Sequence, residues 1–133
     1  MTMKKKRIFC TFESEHLHHY NDAKYAVVPS KGNDSVEFLK YPHRHLFKFR
    51  VEYEVIGDRQ VEFILMKHQL KKIVDNWNYD LGGKSCEIMC SDLYYEMIKL
   101  GYEGNIKIEV SEDGENGAIC EWSQDVINET SSK

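Results

Sequence analysis

The residues in this chain best suited to chemistry are histidines at fixed spacing. His43 and His45 stand at i, i+2 at the head of a stretch that alternates as far as Val55. His43, His45, Phe47, Phe49, Val51, Tyr53 and Val55 share one parity, and Arg44, Lys48, Arg50, Glu52 and Glu54 share the other. Period two over that length is a half-buried strand, so both imidazoles point to its apolar side. Two nitrogens from one strand face can serve a single metal ion, and a third ligand would complete an open, catalytic kind of zinc site. Upstream, Ile8, Cys10, Phe12, Ser14 and His16 form another alternating face that ends in His16, the candidate third ligand. His18 keeps the same parity and His19 follows it, so the choice between His16 and His18 stays open on parity alone. Imidazoles gathered on one apolar side need a common partner, and a metal supplies one.

The elements that must position these residues can be read in order. The first strand runs through the His16 segment and the second from His43 to Val55. From Tyr20 to Ser35 the chain reads as a loop, with Asn21-Asp22, Pro29-Ser30 and Lys31-Gly32-Asn33-Asp34-Ser35. A loop of that length joining the two histidine segments is expected to cover a pocket. Gly57-Asp58-Arg59 predicts a hairpin turn into a third strand, Val61 to Leu65. Met66, Leu70, Ile73, Val74 and Trp77 then fall on one face of a helix. Ser91 is expected to cap a second helix that buries Leu93, Tyr94, Met97, Ile98 and Leu100 and stops at Gly101. Ile106, Ile108, Val110 and Glu112 share a parity in a further strand. A turn at Asp113-Gly114-Glu115-Asn116-Gly117 leads to a short last strand, Ala118 to Trp122. The polar tail 123–133 is expected to fray. Hairpins flanking a helix pair predict an α+β sandwich with the helices on one face.

Composition narrows the function classes. A length of 133 residues with 41% hydrophobic and 30% charged residues fits one globular domain. A net charge of −4 argues against nucleic-acid binding, and the run Lys4-Lys5-Lys6-Arg7 reads as a solvated start. No apolar run approaches the ~18 residues of a membrane span. The N-terminus lacks the apolar region of a signal peptide, so a cytoplasmic location is expected. Cys10, Cys86, Cys90 and Cys120 form no CxxC pair, which argues against a cysteine-ligated zinc and against disulfides. Cys86 and Cys90, at i, i+4, read as small buried thiols.

Taken together, Phe12-x-x-x-His16, His43-x-His45 opening a long alternating strand, Leu70-Lys71 in a helix and Val110-x-Glu112 in a late strand resemble a known family. The similarity, over roughly residues 6 to 122, is to the 6-pyruvoyltetrahydropterin synthase and 6-carboxytetrahydropterin synthase family. The resemblance implies a single tunnelling-fold (T-fold) domain of ββααββ order, with a four-stranded antiparallel sheet and subunits assembled as a homo-oligomer, a hexamer or another ring. It implies a zinc ion held by His16, His43 and His45. The implied substrate is 7,8-dihydroneopterin triphosphate, converted to 6-carboxy- or 6-pyruvoyl-tetrahydropterin, with biopterin-like and queuosine-like pathways both open. Glu112 matches the family glutamate that anchors the pterin ring. A carboxylate on an apolar strand face needs a donor, and a two-pronged pterin edge would satisfy both its oxygens.

The chain also departs from the family. Arg44 stands where a glycine is usual between the two histidines. The cysteine that precedes this motif is missing, and Leu39 and Glu37 occupy its offsets; Glu37 is the candidate substitute base. The Asp-His pair after the first helix is replaced by Trp77-Asn78, with Asp80 and His68 left as replacements lacking the spacing. His18, His19 and His68 are otherwise expected at the surface. A second reading follows from these losses, a catalytically altered T-fold protein that keeps zinc and binds a pterin-like or purine-like ligand or a protein partner. A third is a zinc hydrolase in which Glu15 or Glu37 activates water.

Overall fold

The alternation that begins at His43 becomes β2 (His43–Val55), and the alternating face upstream becomes β1 (Lys6–His18). The computed structural model of the protein describes residues 5–19 and 41–123. β1 and β2 pair antiparallel along their full length, from Lys6 opposite Val55 to His18 opposite His43. Because side chains alternate, this register sends Cys10, Phe12, Ser14, His16 and His18 to the face that carries Phe47, Phe49, Val51, Tyr53 and Val55. Phe12 and Phe49 stack across the pair with ring centroids 5.0 Å apart. Cross-strand contacts of that kind stabilise a sheet by roughly 0.2–1 kcal/mol each. β3 (Ile106–Glu112) joins β2, and β4 (Asn116–Trp122) joins β3, giving one antiparallel sheet in the order β1-β2-β3-β4.

Two helices, α1 (Phe63–Asp75) and α2 (Cys86–Lys99), connect β2 to β3. α1 buries Met66, Leu70 and Val74, and α2 buries Cys86, Met89, Cys90, Leu93 and Met97, in one cluster with the apolar face of the sheet. Each fully buried side chain of this size contributes about 1.5–3 kcal/mol. The result is an α+β ββααββ arrangement compatible with a T-fold. Among the described residues, no helix is long and apolar enough to cross a membrane.

Two sequence expectations are corrected. Val61 to Leu65 does not form a third strand; α1 begins at Phe63, with the Glu62 side chain accepting from Ile64 N as its cap. β2 is already paired with β1 on one side and β3 on the other, so a strand here has no edge of β2 to join. The apolar run is instead the exposed first turn of the helix, with Leu65 62% exposed. α2 starts one and a half turns before Ser91, capped by Ser85, whose hydroxyl accepts from Ile88 N. Cys86 and Cys90 are therefore the start of the helix's own apolar stripe. Gly101, expected as the stop, takes φ +99° just after the C-cap Leu100. The expected covering loop at 20–35, the candidate base Glu37 and the tail 124–133 lie outside the described residues.

Close approach of β4 to β3 depends on one glycine. A Cβ on Gly117 would lie 2.0 Å from the carbonyl oxygen of Val110 and 2.6 Å from Cα of Ser111, both backbone atoms that cannot step aside. Gly117→Ala is expected to destabilise the fold by about 1–3 kcal/mol, read as a lower urea midpoint by circular dichroism; an unchanged midpoint would contradict this packing.

Candidate metal centre

The last rungs of the β1–β2 ladder set His18 opposite His43 and His16 opposite His45, placing four imidazoles at one end of one sheet face. Three of them converge. One ring nitrogen each from His18, His43 and His45 lies within 4.8 Å of the other two, so the trio could hold a metal ion. The ring centroids are 4.7 Å apart for His18 and His43, 5.2 Å for His18 and His45, and 4.9 Å for His43 and His45.

The outer nitrogens decide which atoms face inward. His18 Nδ1 meets the carbonyl oxygen of Lys84 at 3.1 Å, His43 Nδ1 meets that of Tyr41 at 2.9 Å, and His45 Nδ1 meets Oδ2 of Asp113 at 2.7 Å. Carbonyl and carboxylate oxygens only accept, so each Nδ1 donates its proton and each neutral ring keeps its lone pair on Nε2. Metal-binding histidines are held in this way, through the nitrogen that does not touch the metal. His18 is only 6% exposed, and its Nε2 is buried without a hydrogen-bonded partner. Leaving such an atom unsatisfied costs about 1–3 kcal/mol, and coordination to an ion would remove that cost. The donor set therefore fits zinc, which takes three imidazoles readily.

Glu112 stands beside the Nε2 atoms. Its Oε2 is 3.0 Å from His18 Nε2 and its Oε1 is 3.8 Å from His45 Nε2. The nearer contact becomes an ion pair when the His18 ring is protonated. A lone pair and a carboxylate this close need a cation with them, either a proton or a metal. Burial opposes charge on His18, but the Glu112 carboxylate and the Lys84 carbonyl outweigh it and raise the ring above its ordinary value. The nearby His18 ring in turn holds the Glu112 carboxyl below its usual range, against the effect of burial. Next along the chain, the hydrogen bond from His45 also holds the Asp113 carboxyl low.

His16, which the family resemblance put in the metal trio, is turned elsewhere, and His18 takes that place. His16 Nε2 lies 3.0 Å from Ser14 Oγ, whose hydroxyl donates to Asp75 Oδ1 at 2.8 Å. Its Nδ1 is 3.0 Å from the carbonyl oxygen of Asn78, and the rings of Phe47, Trp77 and Tyr79 surround it. The connection between the helices makes this distinction. Leu17 N donates to Tyr79 O, Leu81 N to Leu17 O and His19 N to Gly82 O, so the connection runs along the end of β1. It offers Asn78 O to His16 and Lys84 O to His18, and only the second leaves an Nε2 aimed at His43 and His45. His18 was expected at the surface; it is buried for the same reason.

The other candidate residues fall outside the centre. Trp77-Asn78 packs on His16, the Asp80 side chain accepts from Gly82 N, and His68 is exposed on α1. Glu15 lies on the outer face, where it accepts from the Tyr79 hydroxyl with Arg44 nearby. No cysteine takes the place of the missing one. Cys86 is the thiol that feels Glu112, and burial together with that carboxylate pushes it up to about 12, which keeps it protonated. A cleft of about 710 Å³ opens elsewhere, between Glu13, Lys48, Arg50 and Ile119. It contains none of the histidines and mixes cations with carboxylates, so the chemistry is assigned to the imidazoles. In the sequence Asp113 reads only as part of a turn. The available signal was an acidic residue at the end of the strand that carries Glu112.

Fold and centre together define an α+β protein of ββααββ order whose three converging histidines could hold a metal ion. No protein-family model matches the chain, and no curated protein matches it.

The paired shifts of His18 and Glu112 give the metal-free chain a defined pH dependence. The raised His18 contributes stability that is fully present below its ordinary 6.5 and is lost as pH rises through the folded value. The lowered Glu112 contributes stability present above its ordinary 4.5 and lost as pH falls through the folded value. The metal-free chain is therefore expected to gain most over Glu112→Gln between those two values, as seen in thermal midpoints across pH. A difference that grows steadily above that window would refute the assignment.

Proposed function

We propose that this protein is a zinc-dependent enzyme of the pterin synthase type, acting on 7,8-dihydroneopterin triphosphate to give 6-carboxy- or 6-pyruvoyl-tetrahydropterin. The observation that carries the reading is the convergence of one ring nitrogen each from His18, His43 and His45, with an acceptor on every Nδ1. Support for the substrate class comes from the ββααββ order and from the spacing of His43-x-His45 and Val110-x-Glu112 that resembles the family.

A zinc ion in this centre would act as a Lewis acid that binds and acidifies the substrate's side-chain hydroxyls. The chain's own groups then have separable tasks. His18 is buried on β1, and His43 and His45 are half-buried at the head of β2. Glu112 lies beside the Nε2 atoms, with its carboxyl held ionised, and is suited to accept hydrogen bonds from the donor edge of a pterin bound there. The high value of the Cys86 thiol keeps it from serving as the base.

The same cysteine evidence favours one alternative, a T-fold protein that keeps the metal and binds a pterin-like or purine-like ligand without turning it over. Zinc analysis combined with a turnover assay on dihydroneopterin triphosphate separates the two. His18→Ala and His43→Ala are expected to weaken zinc binding by more than the ~10- to 100-fold typical of losing an outer partner. His16→Ala should retain zinc. Zinc loss in His16→Ala alone would restore the ligand set expected from the family. Binding of the substrate without consumption by the zinc-loaded chain would leave only the alternative.

A further inference from the structure

Asp113 connects the centre to the rest of the fold. Its φ of +58° lies in the left-handed region, which Asp tolerates better than most non-glycine residues. At this turn the chain leaves β3, Asp113 N donates to Leu46 O at 2.9 Å, and the side chain comes back onto β2. Oδ1 accepts from Leu46 N at 3.0 Å and Oδ2 accepts from His45 Nδ1 at 2.7 Å. Both oxygens are committed to adjacent residues of one strand, so the carboxylate cannot rotate without giving up a bond. Glu112, one residue earlier, reaches the opposite side of the same ring.

We propose that Asp113 is a positioning residue that fixes His45 as the Nδ1–H tautomer and thereby sets the affinity of the centre for zinc, an inference that rests on the zinc reading above. An imidazole that binds a metal through Nε2 must carry its proton on Nδ1, and a carboxylate there both selects that tautomer and strengthens Nε2 as a donor. His18 and His43 are held by neutral carbonyls, those of Lys84 and Tyr41, so His45 is the ligand with a charged outer partner. Hydrogen bonds to an ionised acceptor are roughly twice as strong as neutral ones. Asparagine cannot reproduce both bonds. With its oxygen on Leu46 N, its amide nitrogen faces His45 Nδ1, and two donors oppose each other unless the ring moves its proton to Nε2. That is the wrong tautomer for a metal, as it is for a catalytic histidine that loses its aspartate. With the amide flipped, Leu46 N loses its acceptor.

The test compares the full chain with Asp113→Asn. Zinc affinity is measured by competition with a chromophoric chelator. The His45 tautomer is read in the metal-free proteins by long-range ¹H–¹⁵N correlation at alkaline pH, and circular dichroism monitors the fold. The expected result is a fall in zinc affinity of about 10- to 100-fold, with the His45 proton on Nδ1 in the wild type and on Nε2 in the variant. Equal zinc affinity in the two proteins overturns the role of Asp113 and leaves the zinc reading standing. A wild-type His45 protonated on Nε2 also overturns it, however the variant folds. Failure of the wild-type chain to take up zinc overturns both readings.

Discussion

The antiparallel ladder between β1 and β2 is the constraint on which the rest of the structure depends. Side chains on a strand alternate with period two, so a slip of one residue would move every inward group of β1 to the outer face. The observed register puts Phe12 on Phe49 and Cys10 opposite Val51, and by the same arithmetic puts His18 opposite His43. Core packing and the placement of the histidines are thus specified by one pairing. The apolar rungs hold that register without any contribution from the histidines. The polar end of the sheet can therefore carry groups that the core itself would not favour.

Those groups are costly unless satisfied. His18 buries a nitrogen with no hydrogen-bonded partner, close to a carboxylate that needs a positive charge beside it. The surrounding structure supplies an acceptor to every outer nitrogen and lets the inner ones converge beside Glu112. Tyr41 precedes β2, Lys84 precedes α2 and Asp113 follows β3, so the three acceptors come from three separate connections. A misfolded core would be able to bring two histidines of one strand together. It would not also deliver these acceptors.

Much of the fold was legible in the sequence because its signals are periodic and local. The parity of His43 to Val55 marks β2 at its observed bounds, and the apolar residues of β3 mark Ile106 to Glu112. Where the reading failed, the deciding information was non-local. Val61 to Leu65 has the composition of a strand, and only the occupied edges of β2 exclude it. His16 and His18 have the same parity, so no pattern within β1 could separate them. The helix connection separates them, through carbonyls that carry no side-chain signature at all. Asp113 was hidden for a related reason, since Asp-Gly is a turn signal first, and its bond to His45 spans 68 residues of the chain.

The origin of the acceptors also bears on how the centre assembles. β1 and β2 alone could present His18, His43 and His45 on one face, but the rings of His18 and His45 would be free to rotate and to exchange tautomers. The acceptors on His18 and His45 require the helix connection to lie along β1 and β3 to be in place beside β2. Metal affinity at a site of this kind is a property of the assembled domain, and binding free energy becomes folding free energy. An ion held here would stabilise the whole ββααββ unit rather than one strand pair. Glu112 and Asp113 come from the same strand end, so the carboxylate beside the Nε2 atoms and the carboxylate bonded to His45 arrive together when β3 joins β2.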